Sequence, residues 1–138
     1  MNDDNPRIMY VEDEADIREI AEFALEDEGF DLLICASGEA ALEQVSAFSP
    51  DLILLDVMMP LMDGPSTLKL LRELPGQAAT SVVFLTAKVQ PSEVEAYLAL
   101  GALAVIAKPF DPMALPEQIR ELLSRGNVKK PGASGDQA

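Results

Sequence analysis

Short apolar runs alternate along this chain with stretches in which apolar residues recur every three or four positions. The apolar runs predict five buried strands, over residues 8–11, 32–36, 52–55, 81–85 and 103–107. The helical period predicts one helix after each strand. Four of these helices cover residues 14–28, 66–73, 92–100 and 113–124. The remaining helix, after the second strand, is capped by Ser37 and turns Ala40, Ala41 and Val45 inward.

The predicted strands are apolar along their whole length, which is typical of a parallel sheet covered by helices on both faces. Strict alternation of strands and helices predicts an α/β doubly wound fold: a five-stranded parallel sheet of order 2-1-3-4-5, flavodoxin-like, with five flanking helices. We expect one domain over residues 7–125, a leader over 1–6 and a flexible tail over 126–138. The first helix is expected to turn five side chains inward: Ile17, Ile20, Ala21, Ala24 and Leu25.

Charge and composition argue against several classes of function. The 138 residues carry a formal net charge of −14, so phosphates repel the chain and we expect no direct binding to nucleic acid. There is no His, so a metal site must use carboxylate and carbonyl oxygens, which suit Mg²⁺. No apolar run reaches membrane-spanning length, and the lone Cys35 lies in an apolar run. We therefore expect no membrane insertion and a cytoplasmic location.

Polar residues interrupt the apolar pattern where the strands end. Glu12 and Asp13 follow the first strand, Asp56 the third, Thr86 the fourth and Lys108 the fifth. The carboxyl ends of parallel strands form the edge where ligands bind, at the point where the strand order reverses. The first and third strands are neighbours in the predicted order, so their three carboxylates are expected to share one pocket.

This set of residues indicates phosphoryl chemistry. Three carboxylates in one pocket repel each other and require a cation such as Mg²⁺. Lys108 adds a positive charge and Thr86 a hydroxyl donor, so Asp56 is a candidate to attack a phosphoryl group in line. Taken singly, Asp13 also fits a helix cap, Asp56 and Thr86 fit turn residues, and Lys108 fits a solvated side chain. Four independent roles would not explain why all these residues fall at the same edge of the sheet.

Four motifs resemble the receiver domain of two-component response regulators, as found in single-domain chemotaxis regulators. They are Val11-Glu12-Asp13-Glu14, residues 51–60 with Asp63-Gly64, Leu85-Thr86-Ala87 and Lys108-Pro109-Phe110. The resemblance covers residues 8–125. It implies that Asp56 is the phosphoacceptor and that Thr86 and Lys108 contact the phosphoryl group. It also implies a cis Lys108–Pro109 bond and the following Mg²⁺ ligands: Glu12, Asp13, Asp56 and the backbone carbonyl of Met58.

The resemblance implies a signalling switch, not an enzyme, with at most slow autodephosphorylation. The expected donor is a sensor histidine kinase or a histidine phosphotransfer protein, and the output is binding to a downstream target protein. The chain would be a monomer or a weak, phosphorylation-dependent dimer. The sequence departs from the family at Val105, where the fifth strand often carries an aromatic residue that moves with the threonine.

Two other classes of function predict different residues at these positions. A phosphohydrolase similar to the haloacid dehalogenase family would carry an acid/base Asp two residues after the nucleophile, where this chain has Met58. A binding module that has lost phosphorylation would lack the acceptor, a metal carboxylate or the lysine. None of these is missing here.

Overall fold

The computed structural model describes residues 5–128, in which five strands alternate with five helices. The strands are β1 Arg7–Val11, β2 Asp31–Cys35, β3 Leu52–Asp56, β4 Val82–Thr86 and β5 Ala104–Ala107. The helices are α1 Ala15–Leu25, α2 Gly38–Phe48, α3 Gly64–Arg72, α4 Pro91–Ala99 and α5 Leu115–Val128. Ser37 caps α2 as predicted, because its hydroxyl oxygen accepts a 3.0 Å hydrogen bond from Ala40 N.

The strands form one sheet of order β2-β1-β3-β4-β5, in which every neighbouring pair is parallel. This confirms the predicted fold class. From β1 the chain first adds β2 on one side and then returns to add β3 on the other. The strand order therefore reverses between β1 and β3, which places the switch point beside the residues that follow Val11 and Leu55.

Two apolar layers cover the sheet, as the continuous apolar strands predicted. On one face, strand residues including Tyr10 and Leu54 pack with α1 and α5. On the other face, residues including Val11 and Phe84 pack with α2 and α3. Cys35 is buried at the end of β2.

The first helix is shorter than predicted. It ends at Leu25, and the chain then turns through Asp27 and Gly29, which have φ values of 60° and 88°. The run Glu26-Asp27-Glu28 explains the early end, because negative charges are unfavourable at the negative end of the helix dipole. The expectation that Ile20 faces the core is wrong, since 45% of this residue is exposed.

The last helix lies further along the chain than predicted. It begins at Leu115 and continues to Val128, so residues 126–128, assigned to the tail, are helical. Gly126 lies so close to Ser81 that a Cβ atom there would come within 2.8 Å of the Ser81 hydroxyl. Because glycine has no side chain, the helix can pass close to Ser81 and continue beyond the predicted end. The rest of the expected tail and residues 1–4 of the expected leader lie outside the described residues.

Helix α4 is the least anchored of the five helices. None of its residues Pro91–Ala99, all of which the structure describes, is buried. Tyr97 of α4 packs edge-on against Phe84 of β4, with ring centroids 5.3 Å apart. Below the helix, the Arg72 guanidinium donates to Thr80 O at 2.7 Å and more weakly to Gly101 O at 3.4 Å. Across residues 5–128, no helix has the length and apolar character needed to cross a bilayer.

Truncating two leucines, one in the core and one on the surface, should have different effects on the free energy of unfolding. Leu54 is fully buried in the central strand, so Leu54→Ala leaves a cavity and should lower the free energy of unfolding by about 2–5 kcal/mol. Leu61 is 98% exposed, so Leu61→Ala should change it by less than about 0.5 kcal/mol. Urea denaturation followed by circular dichroism measures both. Equal losses in the two variants would contradict the described packing.

Candidate functional site

The carboxyl ends of β1 and β3 bring three acidic residues together. Asp56 is the last residue of β3, and Glu12 directly follows β1, where its N–H donates to Cys35 O at 3.0 Å and extends the ladder. One carboxylate oxygen each from Glu12, Asp13 and Asp56 lies within 4.8 Å of the others. The shared pocket expected from the strand order is therefore present in the structure.

Two of these carboxylates are almost completely shielded from solvent. Glu12 is 0% exposed and Asp56 is 2% exposed, whereas Asp13 is half-buried at the rim. Lys108 supplies the compensating charge: its Nζ lies 3.0 Å from Glu12 Oε1 and 3.1 Å from Asp56 Oδ1. A single ammonium group is thus shared by two buried carboxylates.

The pKa values of the three groups reflect this imbalance. Burial raises the pKa of Asp56 and of Glu12, and the hydrogen bonds from Lys108 offset this only in part. The charge of Asp56 raises the pKa of Glu12 further. Burial lowers the pKa of Lys108, but its hydrogen bonds to the two carboxylates raise it more, so that the net shift is upward. The pocket therefore holds more negative charge than its own lysine neutralises.

Backbone hydrogen bonds fix the loop that carries Glu12 and Asp13. Arg18 Nη1 donates to Glu12 O at 2.9 Å and to Asp13 O at 2.8 Å. The N–H of Glu14 donates to Glu12 Oε2 at 3.2 Å. Sequence reasoning missed Arg18, because a charged residue in the first turns of a helix gives no signal that distinguishes it from a solvated side chain.

The loop after β3 packs directly on the backbone of Asp56. Gly64 N donates to Val57 O at 2.9 Å, and a Cβ atom on Gly64 would come within 2.6 Å of Asp56 O. Glycine is therefore required for this approach. Asp63 caps α3 by accepting from Ser66 N at 2.8 Å. The Met58 side chain is 66% exposed, so its thioether is not part of the acidic cluster, and the role of its carbonyl oxygen stays a prediction.

The ends of β4 and β5 complete the pocket. The buried Thr86 hydroxyl accepts a 3.0 Å hydrogen bond from Lys88 N, and Lys108 N donates to Thr86 O at 3.0 Å. The Lys108–Pro109 bond is cis, as the resemblance implied. Val105 is partly buried and packs against the same core as Tyr97. The aromatic ring that packs against Phe84 thus comes from Tyr97 of α4 and not from β5.

Tyr10 is a further polar residue beside the pocket. It is fully buried, and within residues 5–128 its hydroxyl is the one buried side-chain oxygen or nitrogen without a hydrogen-bond partner. Burial and the charges of Glu12 and Asp56 raise its pKa. Its ring meets Phe110 edge-on, with centroids 6.4 Å apart. Sequence reasoning did not single out Tyr10, because a tyrosine in an apolar run predicts an ordinary strand residue.

The donor set fits a hard divalent cation. The cluster offers carboxylate oxygens, which are the ligands that Mg²⁺ prefers. The excess negative charge of the pocket is a second reason, because a bound cation would relieve the repulsion between Glu12 and Asp56.

Comparisons with known proteins agree with this geometry. The family profile of the response regulator receiver domain matches residues 8–120. The chain is 33% identical over 129 residues to the alkaline phosphatase synthesis transcriptional regulatory protein PhoP of Bacillus subtilis, covering 94% of this chain and 53% of that protein. It is 37% identical over 121 residues to the DNA-binding response regulator MtrA of Mycobacterium tuberculosis, covering 88% of this chain and 52% of MtrA. The chain therefore spans about half the length of these curated relatives.

Solved structures show the same fold. The chemotaxis protein CheY4 of Vibrio cholerae superposes with a TM-score of 0.79 at 28% identity, covering 86% of this chain and 98% of that one. A CheY-like receiver domain protein of Methanospirillum hungatei gives a TM-score of 0.79 at 27% identity, covering 91% and 99%.

The crowded charges should make the Asp56 side chain a source of instability. At neutral pH and with a metal chelator present, Asp56→Asn should raise the free energy of unfolding by about 1–3 kcal/mol, because it removes one buried charge that Lys108 only half neutralises. The folded pKa of Asp56 is raised, so its unfavourable contribution exists above that pKa and disappears as the pH falls below the ordinary value for an aspartate. The advantage of the variant should therefore shrink in acid.

The matched control is Asp13→Asn, which removes the same charge from the half-buried rim and should stabilise the chelated protein less. Magnesium should stabilise the parent protein by about 2.7 kcal/mol at a hundredfold excess over its Kd, and should help Asp56→Asn less. Urea unfolding of each protein from acid to neutral pH measures these differences. A chelated Asp56→Asn protein less stable than its parent would rule out the crowding.

Proposed function

Since this chain belongs to the response regulator receiver domain family, we propose that it is a phosphorylation-dependent switch that accepts a phosphoryl group on Asp56 with the help of Mg²⁺. One observation supports the proposal above the others: two buried carboxylates share Lys108 beside a third carboxylate, at the switch point of the sheet. Such a pocket binds a cation and presents a carboxylate oxygen to an incoming phosphoryl group.

The proposed reaction is a transfer between two nucleophiles. A carboxylate oxygen of Asp56 attacks phosphorus and forms a P–O bond, while the P–N bond to the histidine of a donor protein breaks and its nitrogen keeps the electron pair. When bound, Mg²⁺ supplies positive charge beside the phosphoryl oxygens. Glu12, Asp13, Asp56 and the Met58 carbonyl would hold it.

Lys108 and Thr86 are proposed to receive the transferred group. The Lys108 ammonium already touches Asp56, so it lies within reach of oxygens added there. The Thr86 hydroxyl oxygen accepts from Lys88 N, which leaves its own hydrogen available to donate. Both would stabilise the charge of the phosphoryl group.

The position two residues after the acceptor supplies no acid or base for hydrolysis. Met58, two residues after the acceptor, cannot transfer a proton, and its side chain is mostly exposed. This supports a switch with at most slow autodephosphorylation over a phosphohydrolase.

The phosphodonor is proposed to be a histidine-bearing protein, a kinase or a phosphotransfer protein, that docks on α1. Ile20 and Phe23 of α1 are 45% and 74% exposed, and Met113 beyond β5 is 87% exposed. A cleft of about 120 Å³ lies between α1 and the loop that begins at Lys108, lined by Ile17, Ile20, Lys108, Pro109, Phe110 and Pro112. A donor seated there would place its histidine over Asp56.

The downstream target is proposed to bind α4 and the strand and helix that follow it. Val89, Leu98 and Leu100, at and around α4, are 41%, 42% and 54% exposed. Thr86 and Lys108 are joined in sequence to these elements, so a shift at the phosphate reaches them first.

Small phosphodonors test the acceptor directly. Acetyl phosphate with magnesium should label Asp56, and labelling should be lost in Asp56→Asn and in excess chelator, because both the nucleophile and the cation are required. Asp51→Asn, at the opposite end of β3, is the matched control and should be labelled like the parent. Intact-mass spectrometry and peptide mapping give the extent and position. Labelling that survives in Asp56→Asn would refute the proposed acceptor.

Paired charge insertions test the two docking faces. Phe23→Glu should slow transfer from a purified histidine phosphotransfer protein about tenfold or more, because it buries a charge in the interface, and should leave labelling by acetyl phosphate unchanged. Leu98→Glu, on α4, should leave both reactions unchanged. Transfer rates on phosphate-affinity gels measure this. Equal slowing by the two variants would contradict a donor site on α1.

A further inference from the structure

The Tyr10 hydroxyl makes no hydrogen bond in this structure, in which Asp56 is unphosphorylated; we call this the resting state. The side chain is 0% exposed, and its hydroxyl has no partner within the described residues. A buried hydroxyl without a partner is unfavourable, and a phenylalanine would fill the same space without that penalty. The hydroxyl therefore needs an explanation outside the resting state.

The position of Tyr10 indicates which group it serves. Tyr10 and Glu12 lie two residues apart along the β1 direction, so their side chains leave the same face of the sheet. The Tyr10 ring packs against Phe110, two residues after Lys108. Tyr10 thus lies on the sheet face of Glu12 and against the loop that begins at Lys108, and its hydroxyl bonds to neither residue.

Phosphorylation would change the bonding of Glu12. In the resting state Glu12 Oε1 receives Lys108 Nζ at 3.0 Å, and Glu12 Oε2 receives Glu14 N at 3.2 Å. When Asp56 becomes an acyl phosphate, its charge moves outward onto the phosphoryl oxygens, and the Lys108 ammonium follows that charge. Even with the cation bound at this carboxylate, Glu12 Oε1 then loses its hydrogen-bond donor, and a buried oxygen without a donor is unfavourable.

We propose that Tyr10 is a positioning residue whose hydroxyl replaces Lys108 as the donor to Glu12 Oε1 when Asp56 is phosphorylated. The inference rests on the proposed function. Tyr10 is unsatisfied in the resting protein and satisfied in the phosphorylated one, so it favours the phosphorylated state. It holds Glu12 in place for the cation while Lys108 moves to the phosphoryl group.

The composition of the chain gives a direct spectroscopic test. The chain has two Tyr and no Trp, so Tyr97→Phe leaves Tyr10 as the single tyrosine. The near-ultraviolet band of a tyrosine moves to longer wavelength when its hydroxyl donates a hydrogen bond. Magnesium and acetyl phosphate together should shift this band to longer wavelength, and magnesium alone should not. Intact-mass spectrometry of the same sample gives the phosphorylated fraction.

An equilibrium measurement separates positioning from packing. Tyr10→Phe should bind beryllium fluoride with magnesium, a mimic of the acyl phosphate, about tenfold more weakly than the parent, because the donor to a charged group is lost. Its resistance to urea in chelator should be equal to or higher than that of the parent. Tyr97→Phe removes the same hydroxyl from a partly buried residue, and should bind the mimic like the parent.

The outcomes are distinguishable. A phosphorylated sample without the spectral shift, a shift with magnesium alone, or unchanged affinity for the mimic in Tyr10→Phe would overturn the role of Tyr10 and leave the acceptor intact. Loss of urea resistance in chelated Tyr10→Phe would show a packing role instead. No phosphorylation under any condition would remove the proposed function and this inference with it.

Discussion

One ammonium group shared by two buried carboxylates is the interaction on which this site depends. Lys108 follows the edge strand β5, yet its Nζ reaches residues at the ends of β3 and β1, so the side chain must pass over the end of β4. The residue there is Thr86, which is small enough to leave that path open. Lys108 can therefore contact both carboxylates only with this strand order, this turn at Lys108–Pro109 and a small residue at position 86.

The sheet and most of the pocket were predictable because both follow from the chain's simplest pattern. Continuous apolar strands specify a parallel sheet covered on both faces, and polar residues at strand ends then fall at one edge. The helix limits were not predictable to the same degree. Local charge ended α1 at Leu25, and a close contact between Gly126 and Ser81 allowed α5 to continue. Hydrophobic periodicity describes neither the charges at a helix end nor the contacts that a helix makes with tertiary neighbours.

The supporting residues of the site were the hardest to foresee. Arg18 donates to the carbonyls of Glu12 and Asp13, and Tyr10 is proposed to act through its buried hydroxyl. Neither residue type is unusual where it stands in the sequence. Their significance comes from hydrogen bonds made or left unmade in three dimensions, and those are set by the folded backbone. The residues that touch the reacting atoms are therefore easier to predict than the residues that hold them in place.

The absence of buried residues on α4 affects how this chain can diverge from its relatives. Because α4 buries none of its residues and meets β4 chiefly through Tyr97, most substitutions on it leave the core and the acidic pocket untouched. Folding therefore constrains the sequence of α4 weakly, and the target proposed to bind there would be its main constraint. After gene duplication, two copies could drift apart along α4 while keeping the same chemistry. The helix with no buried residue is thus the element that can change most easily to bind different partners in a cell with many such proteins.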